Sequence, residues 1–416
     1  CEKSSKFFEK QLWGGESGKK ALAYLRERGL AEETVKDFRL GFAPNGWEGL
    51  IGYLRECGYQ DGEIVSAGMA IRRQTANSEQ RSATGSGIYD RFRSRIMFPI
   101  SDISGQVVGF TGRIFQLKNS ASHQQEAEPA KYINTPQTLI YDKSRILYGL
   151  DKAKIEIKKA NRCVLVEGNV DAIMSYQAGV KNVVASSGTA LTQEHLRILE
   201  RYTTNLGFCF DEDQAGAMAT RRGIGLALNK KFNIQVVELD DKTCKDPADY
   251  VQKHGPNWSK LIESSRAVLD YYFEKEKRNF DPAVPENKKN IVSVLAPFIK
   301  RLVSQVEKAH WVSRLAFFLR VNDEAVAADI ASAKDDLDVY GAAAVNAISS
   351  LPDQKTKHLS GDMVNEALLS VLLSRPKIFK DELAGLKTDC LNQETAGIIS
   401  ELAKIDLDNF KFGDFV

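Results

Sequence analysis

No stretch of this sequence approaches the roughly 18 consecutive apolar residues that a membrane-spanning helix needs. The first residues also lack the basic-then-apolar profile of a secretory signal, so a cytoplasmic protein with no membrane partner is expected. Cysteine is sparse, with six at positions 1, 57, 163, 209, 244 and 390, and no Cys-x-x-Cys spacing. Several stand in apolar runs, which points to reduced, buried thiols rather than a disulfide framework or a zinc site. A dominant charge is lacking too. Lys and Arg number 57 against 55 Asp and Glu, so the net charge of +2 conceals two large opposed populations and names no partner by itself. There is no internal repeat and no initiator methionine. Cys1 opens the chain and Val416 follows directly on an apolar-patterned tail, so a piece of a longer protein is expected.

What is present is enough chain, 416 residues, for about two to four domains. Near the start, "SGKKALAYLRERGLAEETVKDFRLGFAP" carries helix formers to Gly29, restarts, and stops at Pro44. "YDRFRSRIMFPISDISGQVVGFTGRIF" (89 to 115) predicts two strands around a turn at Ser104-Gly105, and the polar stretch 117 to 129 a surface loop. From 161 the rhythm changes. "RCVLVEG", "KNVVAS", "NLGFCF" and "NIQVVEL" are short apolar strands separated by helical stretches, one of which, "LTQEHLRILERYT", Thr192 is placed to cap. That alternation predicts a parallel sheet with helices on its faces, and such sheets bind ligands at the carboxyl ends of their strands. Residues 286 to 333 carry apolar stripes at helical spacing, 334 to 361 read as a linker, and another helix opens after 362.

Acidic residues recur where those strands end: Glu167 and Asp171 after "CVLV", Asp211 and Asp213 after "GFCF", and Asp246 after "QVVEL". Adjacent strands lie about 4.8 Å apart, so carboxylates leaving neighbouring ends converge. Like charges so close raise each other's pKa unless a cation intervenes. Oxygen ligands without His or Cys suit Mg²⁺ or Mn²⁺ better than zinc. In Asp211-x-Asp213 an extended backbone turns both carboxylates to one face, where they can bracket a pair of ions, while Glu212 points elsewhere.

This constellation resembles the Toprim domain, shared by bacterial DNA primases, type IA and type II topoisomerases and certain nucleases. The resemblance implies that Glu167, Asp211 and Asp213 hold the catalytic metals, with Asp246 as a further ligand and Asp171 as a supporting acid. Asn169 stands where primases usually have an aromatic. Ala248 replaces the second acid after "DP", and Asp249 follows it with its role open. The upstream segments "YDRFRSRIMFPISDISGQVVGFTGRIF", "KYINTP", "YDKSRILYGL" and "YLRERGLAEETVKDFRLGFAP" are similar to the basic amino-terminal half of the bacterial primase polymerase domain, with Thr111 in place of a commoner Gly.

The resemblance covers about 1 to 335 and implies an α/β protein. Its parts are an α+β basic subdomain (1–150), a Toprim parallel-sheet subdomain (151–260), a helical subdomain (261–335), a linker (336–361) and the start of a helical helicase-docking domain (362–416). It also implies a bacterial enzyme of the replication fork. Two Mg²⁺ or Mn²⁺ ions would serve as cofactors, with single-stranded DNA as template and ribonucleoside triphosphates as substrates. The replicative helicase would be a partner through the tail. The family's zinc ribbon has no Cys/His cluster here to form it, so no zinc is expected and initiation should be weak; the tail that resembles the helicase-docking domain is cut short at Val416, so helicase binding should be poor.

The basic residues fit that reading. On a strand, Arg91, Arg93 and Arg95 project from one face and Phe92 and Ile96 from the other. Three guanidiniums side by side call for a phosphate, unless they are simply solvated. Arg113, Lys131, Asn134 and Lys143 extend the stripe, and Tyr89, Phe92, Tyr132 and Tyr141 are either core or base-stacking residues. His195 is expected at the surface of a charged helix. "GIGLA" at 223 to 227 lacks a third glycine and a preceding strand, so it is no dinucleotide fingerprint. Ser186-Ser187-Gly188-Thr189 is either a phosphate cradle or a plain turn. Two other readings remain: a Toprim nuclease or topoisomerase, and a non-catalytic single-strand-binding scaffold.

Overall fold

The computed structural model describes residues 1–73, 87–115, 130–210, 214–278, 280–281, 284–335 and 337, with backbone only for 214–219 and 285. Residues Cys1–Ala343 form one unit. The stretch 117–129, nearly all of the expected linker and the tail 362–416 lie outside the described residues.

The amino-terminal part runs α1 (Glu2–Gly14), α2 (Glu16–Glu27), α3 (Glu32–Asp37), β1 (Gly41–Ala43), α4 (Gly49–Glu56), α5 (Asp61–Ser66), β2 (Ala70–Arg72), β3 (Ile88–Asp90), β4 (Arg95–Ser101), β5 (Val107–Ile114) and β6 (Tyr132–Asn134). β1, β4, β5 and β6 form an antiparallel sheet in the order β1-β4-β5-β6. The expected turn joins β4 to β5. Gly105 takes the left-handed conformation there (φ 84°), and Asp102 Oδ1 accepts from the backbone N–H groups of Ser104 (2.8 Å) and Gln106 (2.9 Å). α1 lies directly on the sheet: a Cβ on Gly41 would come 2.5 Å from Phe8 Cβ.

The second part continues as α6 (Leu150–Ala160), β7 (Cys163–Val166), α7 (Asn169–Gln177), β8 (Val183–Ala185), α8 (Gln193–Leu199), β9 (Asn205–Phe208), α9 (Gln214–Asn229), β10 (Asn233–Val236) and α10 (Pro247–His254). β10, β9, β7 and β8 lie side by side in that order, all parallel; β7 and β8 are apolar and buried throughout, as strands covered on both faces must be, while β10 alternates, with Asn233 and Gln235 exposed. β7 shows the alternation. Cys163 and Leu165 enter one hydrophobic cluster, Val164 and Val166 the other.

The remainder is α11 (Asn257–Glu263), an antiparallel edge strand β11 (Arg266–Ala267) on β10, then α12 (Val268–Arg278), α13 (Pro285–Arg301), α14 (Gln305–Leu319) and α15 (Asp323–Ser332). Leu295, Phe298, Trp311 and Leu315 of these helices share a buried cluster with Leu165 and Phe208 of the sheet. Burying four such side chains is worth roughly 6–12 kcal/mol, which is as much as the net stability of a whole domain. The helices therefore belong to one face of the sheet. On the other face, α7 and α10 share a cluster with Leu25, Phe42, Ile96 and Phe98 of the amino-terminal part.

Two expectations are corrected. His195 is fully buried, not at the surface. α8 turns it inward, where Nδ1 accepts from the Thr192 amide (3.3 Å) and Nε2 donates to the Lys143 carbonyl (2.9 Å), and burial lowers its pKa. Thr192 does cap that helix, its Oγ1 accepting from the His195 amide at 3.0 Å. Of the thiols, Cys163, Cys209 and Cys244 are buried, but Cys57 is exposed and Cys1 half-buried.

Candidate active site at the carboxyl edge of the parallel sheet

Glu167 is the first residue after β7 and is half-buried at the carboxyl edge. The next residue must be small: a Cβ on Gly168 would stand 2.5 Å from Asp171 Oδ2. That space is used by Asp171, a buried residue in the first turn of α7. Its Oδ2 accepts from the Gly168 amide (3.0 Å) and its Oδ1 from the Ala248 amide in the first turn of α10 (3.1 Å). Asp171 thus ties α7 to α10 and fixes the turn that presents Glu167.

Asp246 comes from the other flank of the sheet, after β10. It caps α10, its Oδ1 accepting from the Asp249 amide at 2.7 Å, with Pro247 at the first helical position. Burial pushes its carboxyl above the ordinary range, against the amide hydrogen bond from Asp249 and the pull of Arg28 and Lys131. Asp249 itself faces Arg28 at 3.5 Å. β9 runs between β7 and β10, held by the Cys209 amide on the Leu165 carbonyl (2.9 Å) and the Val237 amide on the Phe208 carbonyl (2.8 Å). The chain leaves that central position at Phe210. Asp211, Glu212 and Asp213 lie outside the described residues.

Glu167, Asp171 and Asp246 line one cavity of about 410 Å³, whose facing wall is the antiparallel sheet. That wall contributes Arg113, Lys131 and Asn134, all three anticipated from the sequence. Arg113 lies over the Tyr24 ring at 5.0 Å, and Lys131 over the exposed Tyr132 ring at 5.8 Å. Several lining groups were not among the site residues expected from the sequence: Tyr24 and Arg28 of α2, and the buried Asn169 Oδ1, which has no hydrogen-bond partner. Thr111 is another. Its hydroxyl donates to Asn134 Oδ1 (2.7 Å) and meets Ser187 Oγ (3.3 Å), linking the basic sheet to the loop after β8. In that loop Ser187 and Gly188 are both left-handed (φ 57° and 73°), and the Ser187 amide donates to the Glu167 carbonyl. The stretch 186 to 189 is therefore a turn, and it borders the cavity.

The arginine run departs from expectation. Residues 91 to 94 are not a strand, because Ser94 takes a left-handed φ of 49° and β4 begins only at Arg95. The three guanidiniums therefore share no face. Arg95 is buried, donating from Nη1 to the Gly112 carbonyl (3.0 Å) and from Nη2 to the Ala130 carbonyl (3.0 Å), so it braces β5 against the approach to β6. Arg93 donates to the Asp90 carbonyl and stacks on Trp47 at 4.0 Å. Arg91 and Lys143 are half-buried neighbours outside the cavity, and burial lowers the pKa of each. Phe92 and Tyr141 are core residues.

Comparison with known proteins decides between the readings. Residues 7–154 match the model of the DNA primase catalytic core, N-terminal domain, and residues 164–251 match a Toprim-like domain. A solved DnaG primase catalytic domain bound to single-stranded DNA is 30% identical, with a TM-score of 0.60 over 77% of this chain and 95% of that one. The chain belongs to the DnaG-type DNA primases. A primase domain from Pseudomonas aeruginosa is similar at 29% identity and a TM-score of 0.63, over 79% of this chain and 97% of that one. The DNA primase of Clostridium acetobutylicum is 31% identical over 324 residues, 78% of this chain and 50% of that protein. The chain thus spans about half the length of the curated primases it matches. Toprim primase domains use divalent metal ions. No helix among the described residues is long and apolar enough to cross a membrane.

Proposed function

We propose that this chain is a nucleotidyltransferase that makes short RNA primers on single-stranded DNA from ribonucleoside triphosphates. One observation carries the reading: carboxylates at the strand ends of the parallel sheet and cations of the antiparallel sheet, Arg113 and Lys131, share a single cavity. The acidic wall suits a hard divalent cation, since Glu167 and Asp246 offer only oxygen and Asp246 pays a desolvation cost for its charge that a cation would relieve. Glu167, Asp211, Asp213 and Asp246 would hold two Mg²⁺ or Mn²⁺ ions, with Asp171 orienting the Glu167 turn and the cap of α10. Bound there, such ions supply an activated hydroxyl and neutralise leaving pyrophosphate.

The rest is the work of this chain's own side chains. Arg113, flattened over Tyr24, and Lys131 bind phosphates of template or triphosphate by charge-assisted hydrogen bonds. Asn134 is oriented by Thr111, and no side-chain nucleophile is needed. The segment 362–416 would be the part that docks on the replicative helicase.

The test is synthesis on a single-stranded template, with and without a preannealed primer, using labelled ribonucleotides and Mg²⁺ or Mn²⁺, beside a supercoiled plasmid. Template-dependent RNA that disappears in Asp211→Ala and Asp213→Ala, and largely survives in Glu212→Ala, is the expected result. Plasmid nicking or relaxation without RNA would sink the reading in favour of a nuclease or topoisomerase. DNA retention with neither product would favour a scaffold.

A further inference from the structure

The loop between β10 and α10 assembles a second cluster that the acidic cavity does not use. Asp241, Cys244 and His254 each offer one ligand atom, and these atoms all lie within 4.8 Å of one another. Asp241 and Cys244 belong to one tight turn, closed by the Cys244 amide on the Asp241 carbonyl (3.0 Å). His254 arrives from the last turn of α10, with Nε2 2.8 Å from Asp241 Oδ2. One carboxylate oxygen, one imidazole nitrogen and one sulfur make a borderline-soft set, quite unlike the all-oxygen set of the cavity.

We propose that Asp241, Cys244 and His254 bind a zinc-class divalent ion that ties the loop carrying Asp246 to the carboxyl-terminal end of α10. The donor set is one that Zn²⁺ takes in tetrahedral sites, with a water in the fourth position. Metal–ligand bonds of about 2.0–2.3 Å set ligand atoms about 3.3–3.7 Å apart. Side-chain rotation alone therefore closes the site: the imidazole and carboxylate separate by about half an ångström and the sulfur moves in. The carboxylate is already aimed. Asp241 Oδ1 accepts from the Thr243 amide (2.9 Å) and hydroxyl (2.6 Å), an outer layer of hydrogen bonds of the kind that orients metal ligands and leaves Oδ2 for the ion.

The Tyr250 ring lies 4.6 Å from the imidazole and limits its tilt. Cys244 is buried, while the Asp241 and His254 side chains are 19% and 29% exposed, so an ion and its water can reach the site from one side. Binding releases the thiol proton to solvent and places the imidazole proton on Nδ1, freeing the Nε2 lone pair. The occupant to be displaced is Lys253, whose half-exposed ammonium donates to Asp241 Oδ2. The proposed site departs from the sequence-based expectation of no zinc, because its three ligands meet only once α10 folds back on its own loop.

The experiment adds Co²⁺, then Zn²⁺ in competition, to the full chain with Mg²⁺ in excess to fill the acidic cavity. The expected result is a thiolate-to-cobalt charge-transfer band and intense tetrahedral visible bands, saturating at about one equivalent and abolished by Zn²⁺. Cys244→Ser should lose the charge-transfer band. Cys57→Ser and Glu167→Gln should keep it. Lys253→Met should tighten binding about fivefold by removing the competing ion pair. Should Cys244→Ser fail to fold by circular dichroism, His254→Ala gives the same reading through loss of the tetrahedral bands. A band that survives Cys244→Ser, or a weak octahedral spectrum in the parent chain, overturns the proposal. None of these measurements requires primer synthesis, so its outcome is independent of the polymerase reading.

Discussion

At the scale of single residues the candidate site is a set of charges whose cost is paid by neighbours. Asp246 is the clearest case, because burial raises its carboxyl above the ordinary range. A raised carboxyl binds its proton more tightly in the native chain than in the unfolded one. Its favourable contribution is therefore complete at and below the ordinary carboxylate range and is lost as pH rises through the native value. At neutral pH without divalent ions the ionised group is a burden, although its role as cap of α10 is not. Asn caps helices as well as Asp does. Asp246→Asn should accordingly raise the thermal midpoint at pH 7 in chelator by about 2 °C, the shift expected of ~1 kcal/mol in a chain this long. The gain should shrink near pH 4, where the parent residue is protonated, and primer synthesis should fall sharply. Calorimetry at the two pH values checks the sign, and a drop at pH 7 would show the charge to be fully compensated.

At the scale of elements, the turn from β7 into α7 joins backbone shape to chemistry. Gly168 is needed there for its lack of a Cβ, since its φ of −97° suits any residue. Gly168→Ala pushes against the Asp171 carboxylate, whose two amide bonds hold α7 and α10 together. The expected cost is about 1–3 kcal/mol, the range for leaving buried polar groups poorly paired. Because Glu167 is the preceding residue, synthesis should fall by more than the loss of folded protein explains. Thermal melts alongside specific activity measure both, and a fall in stability with unchanged specific activity would show Glu167 to be positioned independently.

The same scale explains what could be read in advance. β7 to β10 and the β4–β5 hairpin were visible because period and turn chemistry are local: unbroken apolar runs for the strands covered on both faces, alternation in β10, and a Gly turn between two strands. The strand-end acids followed from that sheet. The arginine run was misjudged because one left-handed residue, Ser94, ends the extension on which alternation depends. His195 was misjudged because "QEHLR" looks solvated, whereas the segment around Lys143 covers that side of α8. Thr111, Ser187 and Arg28 join the site only through contacts distant in sequence, which no local pattern encodes.

For the whole molecule, a net charge of +2 describes neither wall of the cavity. The charges are sorted, with acids on the parallel sheet and Arg113 and Lys131 opposite, so affinity for a polyanion depends on a few placed cations rather than on the total. For a single strand, each phosphate neutralised contributes about −0.7 to the slope of log affinity against log salt. Replacing Arg113 and Lys131 together by Ala should therefore weaken binding to single-stranded DNA uniformly across sequences and flatten that slope by about 1.4. Arg95 is the control. It is a cation too, but its guanidinium is buried and spent on the carbonyls of Gly112 and Ala130. Arg95→Met should lower stability by about 1.5–3 kcal/mol, the worth of a hydrogen bond to a charged group, while leaving the salt slope of the folded fraction unchanged. Fluorescence anisotropy on a labelled oligonucleotide across a salt series separates the two effects. An unchanged slope in the Arg113/Lys131 double variant would mean that the nucleic acid crosses a different face of the protein.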